Sequence, residues 1–382
     1  MSERPGRRRW ARVDQTQIAN LQGGSQELPR IHLTRQRAIG LAIFVISALG
    51  FLYFVLPKLA GLRKTWERIG HGSPGWLVVA LLCEMLSFAG YVALFRTVFV
   101  RGQRSRIDWR ASYEITMAGL AATRLFASAG AGGVALTAWA LRRSGLPGRL
   151  VASRMVAFMT LLYTVYMAAL VVFGLALRIG ILPGGGSFAL TIVPAIFGGI
   201  VIIVALLLTA LPSHVERQIE ASSRRTSRGA SIHRRLLLLP SLVGDGTRGA
   251  VEILRSNDPF VLGAVAWWGF DIATLWASFN AFGAAPPFAV IVMAYFLGMF
   301  GNLLPLPGGI GGVDGGMIGA FLAFGVSGSL AVVAVLVYRG FAFWLPTIPG
   351  AIAYFQLRRR VHSWTAGTSD YPGLDSSEPA PA

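Results

Sequence analysis

The chain has 382 residues, of which 54% are hydrophobic and 14% are charged, against about 25% charged in soluble domains. This composition excludes a soluble globular enzyme and indicates a membrane protein. The formal net charge is +18, but the basic residues stand between hydrophobic runs rather than on one face of a soluble fold. We therefore expect no nucleic-acid partner.

The first 37 residues form a polar leader with eight arginines and three acidic residues. Its low hydrophobicity predicts a disordered, basic cytoplasmic segment. The apolar run 38–56 that follows is longer than the about 7–15 residues of a signal-peptide core. We expect a retained membrane helix there rather than a cleaved signal.

Six apolar segments approach or exceed the about 20 residues that a membrane-spanning helix needs. They predict an all-α polytopic membrane protein with one transmembrane domain over 38–360, followed by a disordered tail at 361–382. The predicted spans are 38–56, 75–100, 150–179, 188–211, 259–283 and 329–357.

Two further apolar segments, 111–141 and 286–325, are interrupted by glycine-rich stretches, the second by LPLPGGIGGVDGG. The helices expected after the breaks, 135–141 and 316–326, are too short to cross a core of about 30 Å. An interrupted backbone is tolerated at membrane depth only where protein or a cavity shields it. Both segments are therefore predicted to be re-entrant hairpins.

The arginines and lysines are distributed unevenly between the two predicted sides. The segments placed inside, including the loop 212–258, contain 26 of them, whereas the outside loops contain four. Because cytoplasmic loops carry the excess of Lys and Arg, this predicts a cell-membrane protein with both termini in the cytoplasm.

An internal repeat accompanies this topology. Gly130–Val134 and Gly309–Val313 share the pattern G-x-G-G-V, and each precedes a short helix and a long span. The halves 75–179 and 259–357 each read span, hairpin, span, but they enter the membrane from opposite sides. Inverted repeats of this kind place transporter sites at the interface between the halves.

Ionisable side chains inside membrane segments are costly and usually face a cavity or each other. Arg339 lies too deep in the last span to reach the interface easily, and its planar guanidinium suits a lipid phosphate. Its alternative role is an ion pair with Asp271 or Asp314, and the two roles can alternate. Arg154 has the equivalent early position in the third span, and Arg124 lies inside the first hairpin.

Two carboxylates also have alternative roles. Asp314 follows GGIGGV at the start of a short helix, where it can cap free N–H groups, or else serve proton or cation coupling. Asp271 lies mid-span beside Trp267 and Trp268 and is predicted to serve a cavity or coupling. The candidates for headgroup binding or coupling are Arg124, Arg154, Asp271, Asp314 and Arg339.

Glycines in the hairpin turns permit positive φ angles and a helix start that offers N–H groups to a phosphate. Their alternative role is tight helix packing. The predicted turn glycines are Gly130, Gly132, Gly133, Gly308, Gly309, Gly311 and Gly312.

No cofactor or metal is expected. The five histidines lie outside the predicted spans and lack metal-ligand spacing, and Cys83 is the only cysteine. No Gly-Lys-Ser/Thr follows the glycine-rich turns, which excludes a P-loop.

The stretches NLLPLPGGIGGVDGGMIGAFLAFGV, AVLVYRGFAFWLP and SAGAGGVALTAWALRRSGL resemble the transmembrane region of lysylphosphatidylglycerol synthases and their stand-alone, flippase-like relatives. The resemblance covers roughly 38–360. In two-part synthases it implies a soluble domain that makes an aminoacylated lipid and a membrane region that moves it between leaflets. Only a short tail follows Arg360 here, so the resemblance implies lipid translocation without synthase chemistry.

The leading expectation is thus a non-enzymatic translocator of an anionic or aminoacylated lipid, with membrane phospholipids and a separate lipid-modifying enzyme as partners. One alternative is a membrane enzyme acting on lipid-linked sugars or phosphates, for which only Asp108 and Glu114 stand at a membrane face. The other is a secondary transporter for a small solute. A lateral opening toward the bilayer favours a lipid, whereas a closed aqueous site favours a solute.

Overall fold

The structure, a computed structural model, describes residues 72–101, 107–125, 131–209, 231–303 and 309–366. Within these ranges the chain is helical and contains no strand, which confirms an all-α polytopic membrane protein. Five helical stretches are long and apolar enough to cross a membrane. The predicted leader 1–37 and first span 38–56 lie outside the described residues, as do Gly130 and Gly308.

The first half contains one long helix, a helical hairpin and a second long helix. The two hairpin helices are 17 and 13 residues long and pack against each other. In chain order the helices are α1 Pro74–Phe99, α2 Trp109–Leu125, α3 Ala131–Arg143 and α4 Gly148–Arg178.

Two helices connect the halves, and the second half then repeats the order of the first. A 3₁₀ turn, Pro259–Leu262, precedes α7, and another, Phe300–Leu303, follows α8. The connecting helices are α5 Phe188–Thr209 and α6 Ser231–Arg255, and the second half comprises α7 Gly263–Phe282, α8 Phe288–Met299, α9 Gly312–Ala323, α10 Gly328–Arg339 and α11 Leu345–Ala366.

The short helices begin earlier than the sequence predicts. Helix α3 starts at Ala131 rather than 135, and α9 starts at Gly312 rather than 316. Gly132, Gly133 and Gly312, predicted as turn residues, therefore lie in first helical turns. Glycine disfavours helix interiors by only about 1 kcal/mol, which close packing between helices offsets.

Three other boundaries differ from prediction. The segment 212–258, expected to be a loop, contains the 25-residue helix α6, which packs against α4. The tail expected from 361 is helical as far as Ala366. The last span consists of α10 and α11 joined by a π-helical turn, Gly340–Trp344.

Helices α1 and α7 form an antiparallel pair, which agrees with the inverted orientation of the two halves. The Ser73 amide donates to the carbonyl oxygen of Ala281 at 2.8 Å, near the start of α1 and the end of α7. In the middle of α1 the Ser87 hydroxyl donates to the carbonyl oxygen of Trp267 at 2.8 Å.

Glycines allow this pair to approach closely. A Cβ on Gly263 would lie 2.3 Å from the carbonyl oxygen of Gly90, and a Cβ on Gly90 would lie 2.7 Å from the Cβ of Ala266. Small residues at membrane helix crossings permit such backbone contact, because helix association in lipid depends on packing rather than on the hydrophobic effect.

The two hairpins close in the same way. In the first, a Cβ on Gly133 would lie 2.4 Å from the carbonyl oxygen of Gly119. In the second, a Cβ on Gly301 would lie 2.3 Å from the carbonyl carbon of Gly312. Each hairpin is therefore held by a glycine–glycine contact between its arms.

Candidate functional site

Ionisable and hydroxyl side chains from both halves meet inside the helix bundle. Most of them are buried, with Glu84 3%, Asp314 2%, Asp271 7% and Arg339 7% exposed. We call this set the central polar cluster: Glu84, Arg124, Asp271, Tyr295, Asp314, Tyr338 and Arg339.

Asp314 and Arg339 form a buried ion pair, with the Arg339 Nε 2.6 Å from Asp314 Oδ1. The other carboxylate oxygen of Asp314 accepts a hydrogen bond of 3.0 Å from the Gly311 amide and so caps α9. Capping and pairing, which the sequence left as alternatives, therefore occur together. Gly311 has a φ of 82°, a conformation that glycine adopts without strain.

Asp271 has hydroxyl partners in place of Arg339. The Tyr338 hydroxyl donates to Asp271 Oδ2 at 3.0 Å, and the Tyr295 hydroxyl donates to the same oxygen. These two tyrosines come from α10 and α8, so three elements of the second half converge on one carboxyl group. Of the two partners proposed for Arg339, the structure selects Asp314.

Glu84 faces this group from the first half. Its carboxyl group, on α1, is level with Asp271 on α7, because hydrogen bonds from Thr274 to the Ala80 carbonyl oxygen and from Ser87 to the Trp267 carbonyl oxygen flank the two residues. Glu84 is absent from the predicted site, although a carboxylate in the middle of an apolar helix is itself a signal of function.

Arg124 joins the cluster at the end of α2. Its Nη2 donates to the carbonyl oxygen of Ala342 at 2.8 Å, and its Nη1 to that of Phe343 at 3.4 Å. Both carbonyls lie in the π turn, and the residue four positions after Ala342 is Pro346, which has no N–H to offer. In a regular α-helix Pro346 would leave the Ala342 carbonyl without a donor, and Arg124 supplies one here.

The two arginines approach the same aromatic ring. The guanidinium carbon of Arg339 lies 4.6 Å from the centre of the Phe343 ring, and that of Arg124 lies 5.7 Å from it. Arg124 also lies 5.6 Å from the ring of Phe88. The direct hydrogen-bond partners of Arg124 are neutral carbonyls, and two arginines from opposite halves therefore lie near one ring.

Arg154 lies apart from this cluster. Its guanidinium donates to the carbonyl oxygen of Val98, in the last turn of α1. A cation at a helix C-terminus is favourable because it satisfies open carbonyls and complements the helix dipole. This contact gives Arg154 a role in joining α4 to α1.

The predicted turn glycines divide into two groups. Gly309, with a φ of 66°, and Gly311 form the turn before α9. Gly133 and Gly312 instead make close backbone contacts within the hairpins. The packing role therefore applies to the second group and the turn role to the first.

A groove of about 500 Å³ runs between α1, α2 and α11, with Glu84 and Phe88 in its lining. Apolar side chains beside it are exposed, among them Met85 at 62% and Trp109 at 54%. Because Phe88 also contacts Arg124, the groove extends from an apolar outer surface to the central polar cluster.

A second cavity, of about 420 Å³, lies between α1, α2, α3, α4 and α7. Its lining is mostly aromatic and aliphatic, with hydroxyl groups from Thr116, Thr123, Thr137 and Tyr163. Trp267, which lines this cavity, contacts Phe88, which lines the groove.

The two carboxylates considered for enzymatic chemistry are engaged elsewhere. Glu114 is buried and bound by Arg360, with Nε–Oε2 and Nη2–Oε1 distances of 2.7 and 3.0 Å. Asp108 accepts a hydrogen bond of 2.7 Å from the Ala111 amide at the start of α2. Glu114 therefore joins α2 to α11, and Asp108 caps the start of α2.

Comparison with known proteins identifies relatives. Residues 37–350 match the family described as the lysylphosphatidylglycerol synthase TM region, which confirms the resemblance. Three alignments are to proteins named UPF0104 membrane protein from Methanothermobacter thermautotrophicus. One is 24% identical over 83% of this chain and 95% of the relative. The other two are 29% and 34% identical and span 38% and 34% of the relatives' lengths.

No solved structure matches the chain.

Proposed function

Because the chain belongs to the family of the lysylphosphatidylglycerol synthase TM region, we propose that this multi-pass membrane protein moves an anionic or aminoacylated phospholipid, or a lipid-linked molecule, between leaflets. The protein is proposed to act without covalent chemistry on the lipid, in a cell membrane and with both termini in the cytoplasm. A separate enzyme would modify the lipid.

The observation that carries the proposal is the convergence of Arg124 and Arg339 on Phe343. Guanidinium groups bind phosphate through paired N–H donors, and such bonds are stronger where water is excluded. An intramembrane arginine is costly, so two of them in one place indicate a function that needs their charge.

The groove beside the cluster supports a lipid rather than a small solute. Its lining is largely apolar and its outer side chains are exposed, which suits acyl chains that remain in the bilayer while the headgroup enters the protein. The ion pair of Arg339 with Asp314 provides a resting partner that an anionic headgroup can replace.

The engagement of Glu114 and Asp108 by Arg360 and by the α2 backbone favours translocation over the enzymatic alternative. A general acid or base needs a carboxyl group within reach of its substrate. Glu114 is instead buried against Arg360, and Asp108 caps the start of α2.

Reconstitution into liposomes tests the proposal. The purified chain is inserted into vesicles that contain headgroup-labelled lipids, each with a zwitterionic, anionic or aminoacylated headgroup, and a membrane-impermeant quencher reports the leaflet of each label. We expect movement of anionic or aminoacylated lipid above the rate in empty vesicles. Equal rates with and without protein for every lipid would reject translocation.

A further inference from the structure

The carboxyl groups of Glu84 and Asp271 face each other across the α1–α7 pair, and each has an oxygen without a donor. Within the described residues, Glu84 Oε2 and Asp271 Oδ1 are buried and lack a hydrogen-bond partner. Hydrogen bonds on either side of them, from the Thr274 hydroxyl to the Ala80 carbonyl oxygen (3.3 Å) and from the Ser87 hydroxyl to the Trp267 carbonyl oxygen (2.8 Å), place both residues at the same level of the pair. Two ionised carboxylates could only repel in this arrangement.

One proton resolves this conflict. If either carboxyl group is protonated, its O–H donates to the facing oxygen of the other, and the repulsion becomes a charge-assisted hydrogen bond. Carboxyl pairs in water-poor sites commonly share a proton in this way, because close like charges cannot both ionise.

The side chains around Glu84 and Asp271 orient the two carboxyl groups but do not supply that proton. The Tyr295 and Tyr338 hydroxyls, from α8 and α10, both donate to Asp271 Oδ2, which leaves Oδ1 directed elsewhere. The Arg124 guanidinium, from α2, acts on Glu84 electrostatically but donates its hydrogen bonds to the π turn.

The remaining charges lie further along the same cluster. Arg339, next to Tyr338 on α10, pairs with Asp314 of α9. On α1 itself, Cys83 precedes Glu84, and Thr274 of α7 lies opposite. The cluster therefore contains two arginines and three carboxyl groups, and one bound proton makes its formal charge zero.

The arrangement suits a proton better than a metal ion. No group of three or more His, Cys, Asp or Glu side chains that could hold a metal occurs in the part of the chain that the structure describes.

We propose that Glu84 and Asp271 hold one proton between them and form an intramembrane proton-binding site that couples proton movement to movement of the lipid headgroup. The coupling part rests on the proposed function, whereas the proton site can be tested without transport. Release of the proton leaves the cluster with one extra negative charge, which opposes entry of an anionic headgroup beside the arginines.

Infrared difference spectroscopy of the purified full chain in lipid nanodiscs tests the site. Free Asp and Glu ionise near pH 4, so wild-type protein at pH 7 should retain the carbonyl stretch of a protonated carboxylic acid, shifted by D₂O. Glu84→Gln and Asp271→Asn should each lose this band, and the matched control Asp245→Asn, on α6, should keep it.

Absence of the band from wild type at pH 7 would overturn the site, as would its persistence in both variants. The wild-type spectrum at pH 7 tests the proton site without any variant, so the test does not depend on whether a variant folds. Asp271→Glu, which keeps a carboxyl group, should keep a band.

Lipid asymmetry under a pH gradient tests the coupling. With one proton per lipid, a gradient of one pH unit should produce up to about a tenfold ratio of labelled lipid between leaflets at steady state. Equal leaflets in wild type despite rapid movement would overturn the coupling. If the carboxylic-acid band is present but no lipid moves, the proton site stands and the proposed function is rejected. If lipid moves but the band is absent, the proposed function stands and the proton site is rejected.

Discussion

Arg124, at the end of the first hairpin helix, donates a 2.8 Å hydrogen bond to the carbonyl oxygen of Ala342, in the π turn of the other half. Pro346, four residues after Ala342, cannot supply the amide that a regular helix would place there. One guanidinium thus joins the two halves of the repeat and supplies the missing donor.

Arg124→Leu should lower the thermal stability of the purified protein, because a buried carbonyl left without a donor costs about 1–3 kcal/mol. Adding Pro346→Ala restores an N–H at that position and should recover part of the loss. Pro349→Ala, which does not serve the Ala342 carbonyl, is the matched control. Differential scanning fluorimetry measures all three, and equal recovery by both alanine substitutions would contradict the assignment.

Arg339→Lys should reduce lipid movement by about tenfold or more while the protein stays inserted. Lysine keeps the charge but loses the planar fork, and one charge-assisted hydrogen bond is worth about 1.5–3 kcal/mol. The liposome assay measures the rate, with Arg358→Lys on the exposed face of α11 as the control.

The double variant Arg339→Leu with Asp314→Asn separates stability from transport. It removes both charges of the pair, so thermal stability should recover relative to Arg339→Leu alone. Lipid movement should remain lost, because no headgroup partner is restored. If the double variant moved lipid at the wild-type rate, Arg339 would have only a packing role.

Gly301→Ala should destabilise the second hairpin, since its Cβ would lie 2.3 Å from the carbonyl carbon of Gly312. The Gly312 backbone cannot move away from an added Cβ as the end of a flexible side chain could. Gly319→Ala, on α9 with no heavy atom within 4 Å of its Cβ, should be neutral or stabilising. Comparable melting temperatures for the two variants would show that the arms do not need this close contact.

Asp258 gives a pH-dependent prediction outside the membrane spans. Burial acts to raise its pKa, but hydrogen bonds from the Phe260 amide, Arg101 and Thr97 prevail and lower the pKa below 3.8. A carboxyl group whose pKa is lower in the folded than in the unfolded chain stabilises the fold above pH 3.8. This contribution is lost as the pH falls through the pKa of the folded state. Asp258→Asn should therefore lower the melting temperature at pH 7, with a difference that narrows below about pH 4.

The control for Asp258 is Glu252→Gln, an exposed carboxylate on α6. It should leave the melting temperature unchanged at both pH values. A difference between Asp258→Asn and wild type that is constant from pH 7 to pH 3 would contradict the pKa assignment.

Cysteine labelling tests the orientation. On a Cys83→Ala background, Ala284→Cys should react with an impermeant maleimide on intact cells, and Ser256→Cys only after permeabilisation. Both positions are exposed in the structure. Because they flank a single predicted span, labelling of both from outside would exclude the proposed topology.

The sequence predicts the fold well where local patterns determine it. Apolar length locates the spans that begin at Pro74 and Gly148, and the glycine-rich breaks locate both hairpins. The starts of α3 and α9 were placed too late because glycine was assigned to turns, whereas contact between hairpin arms holds Gly133 and Gly312 in helices.

Prediction of the site is incomplete for a different reason. Asp314 and Arg339 were recognisable as buried charges, but the choice between Asp314 and Asp271 as the arginine's partner depends on how α9 meets α10. The approach of Glu84 to Asp271 depends on the register of two helices far apart in sequence. Pro346 was the local signal for the open Ala342 carbonyl.

The π turn also sets the rotation of everything that follows it. A π turn accommodates one residue more than a regular helix, and each residue in an α-helix turns the chain by about 100°. Without that residue, Gly350 would no longer face α2, where its Cβ position lies 2.8 Å from the Cβ of Ala121. Arg360 would turn away from Glu114 in the same movement, so one inserted residue beside the central polar cluster determines which face of α11 the first hairpin meets.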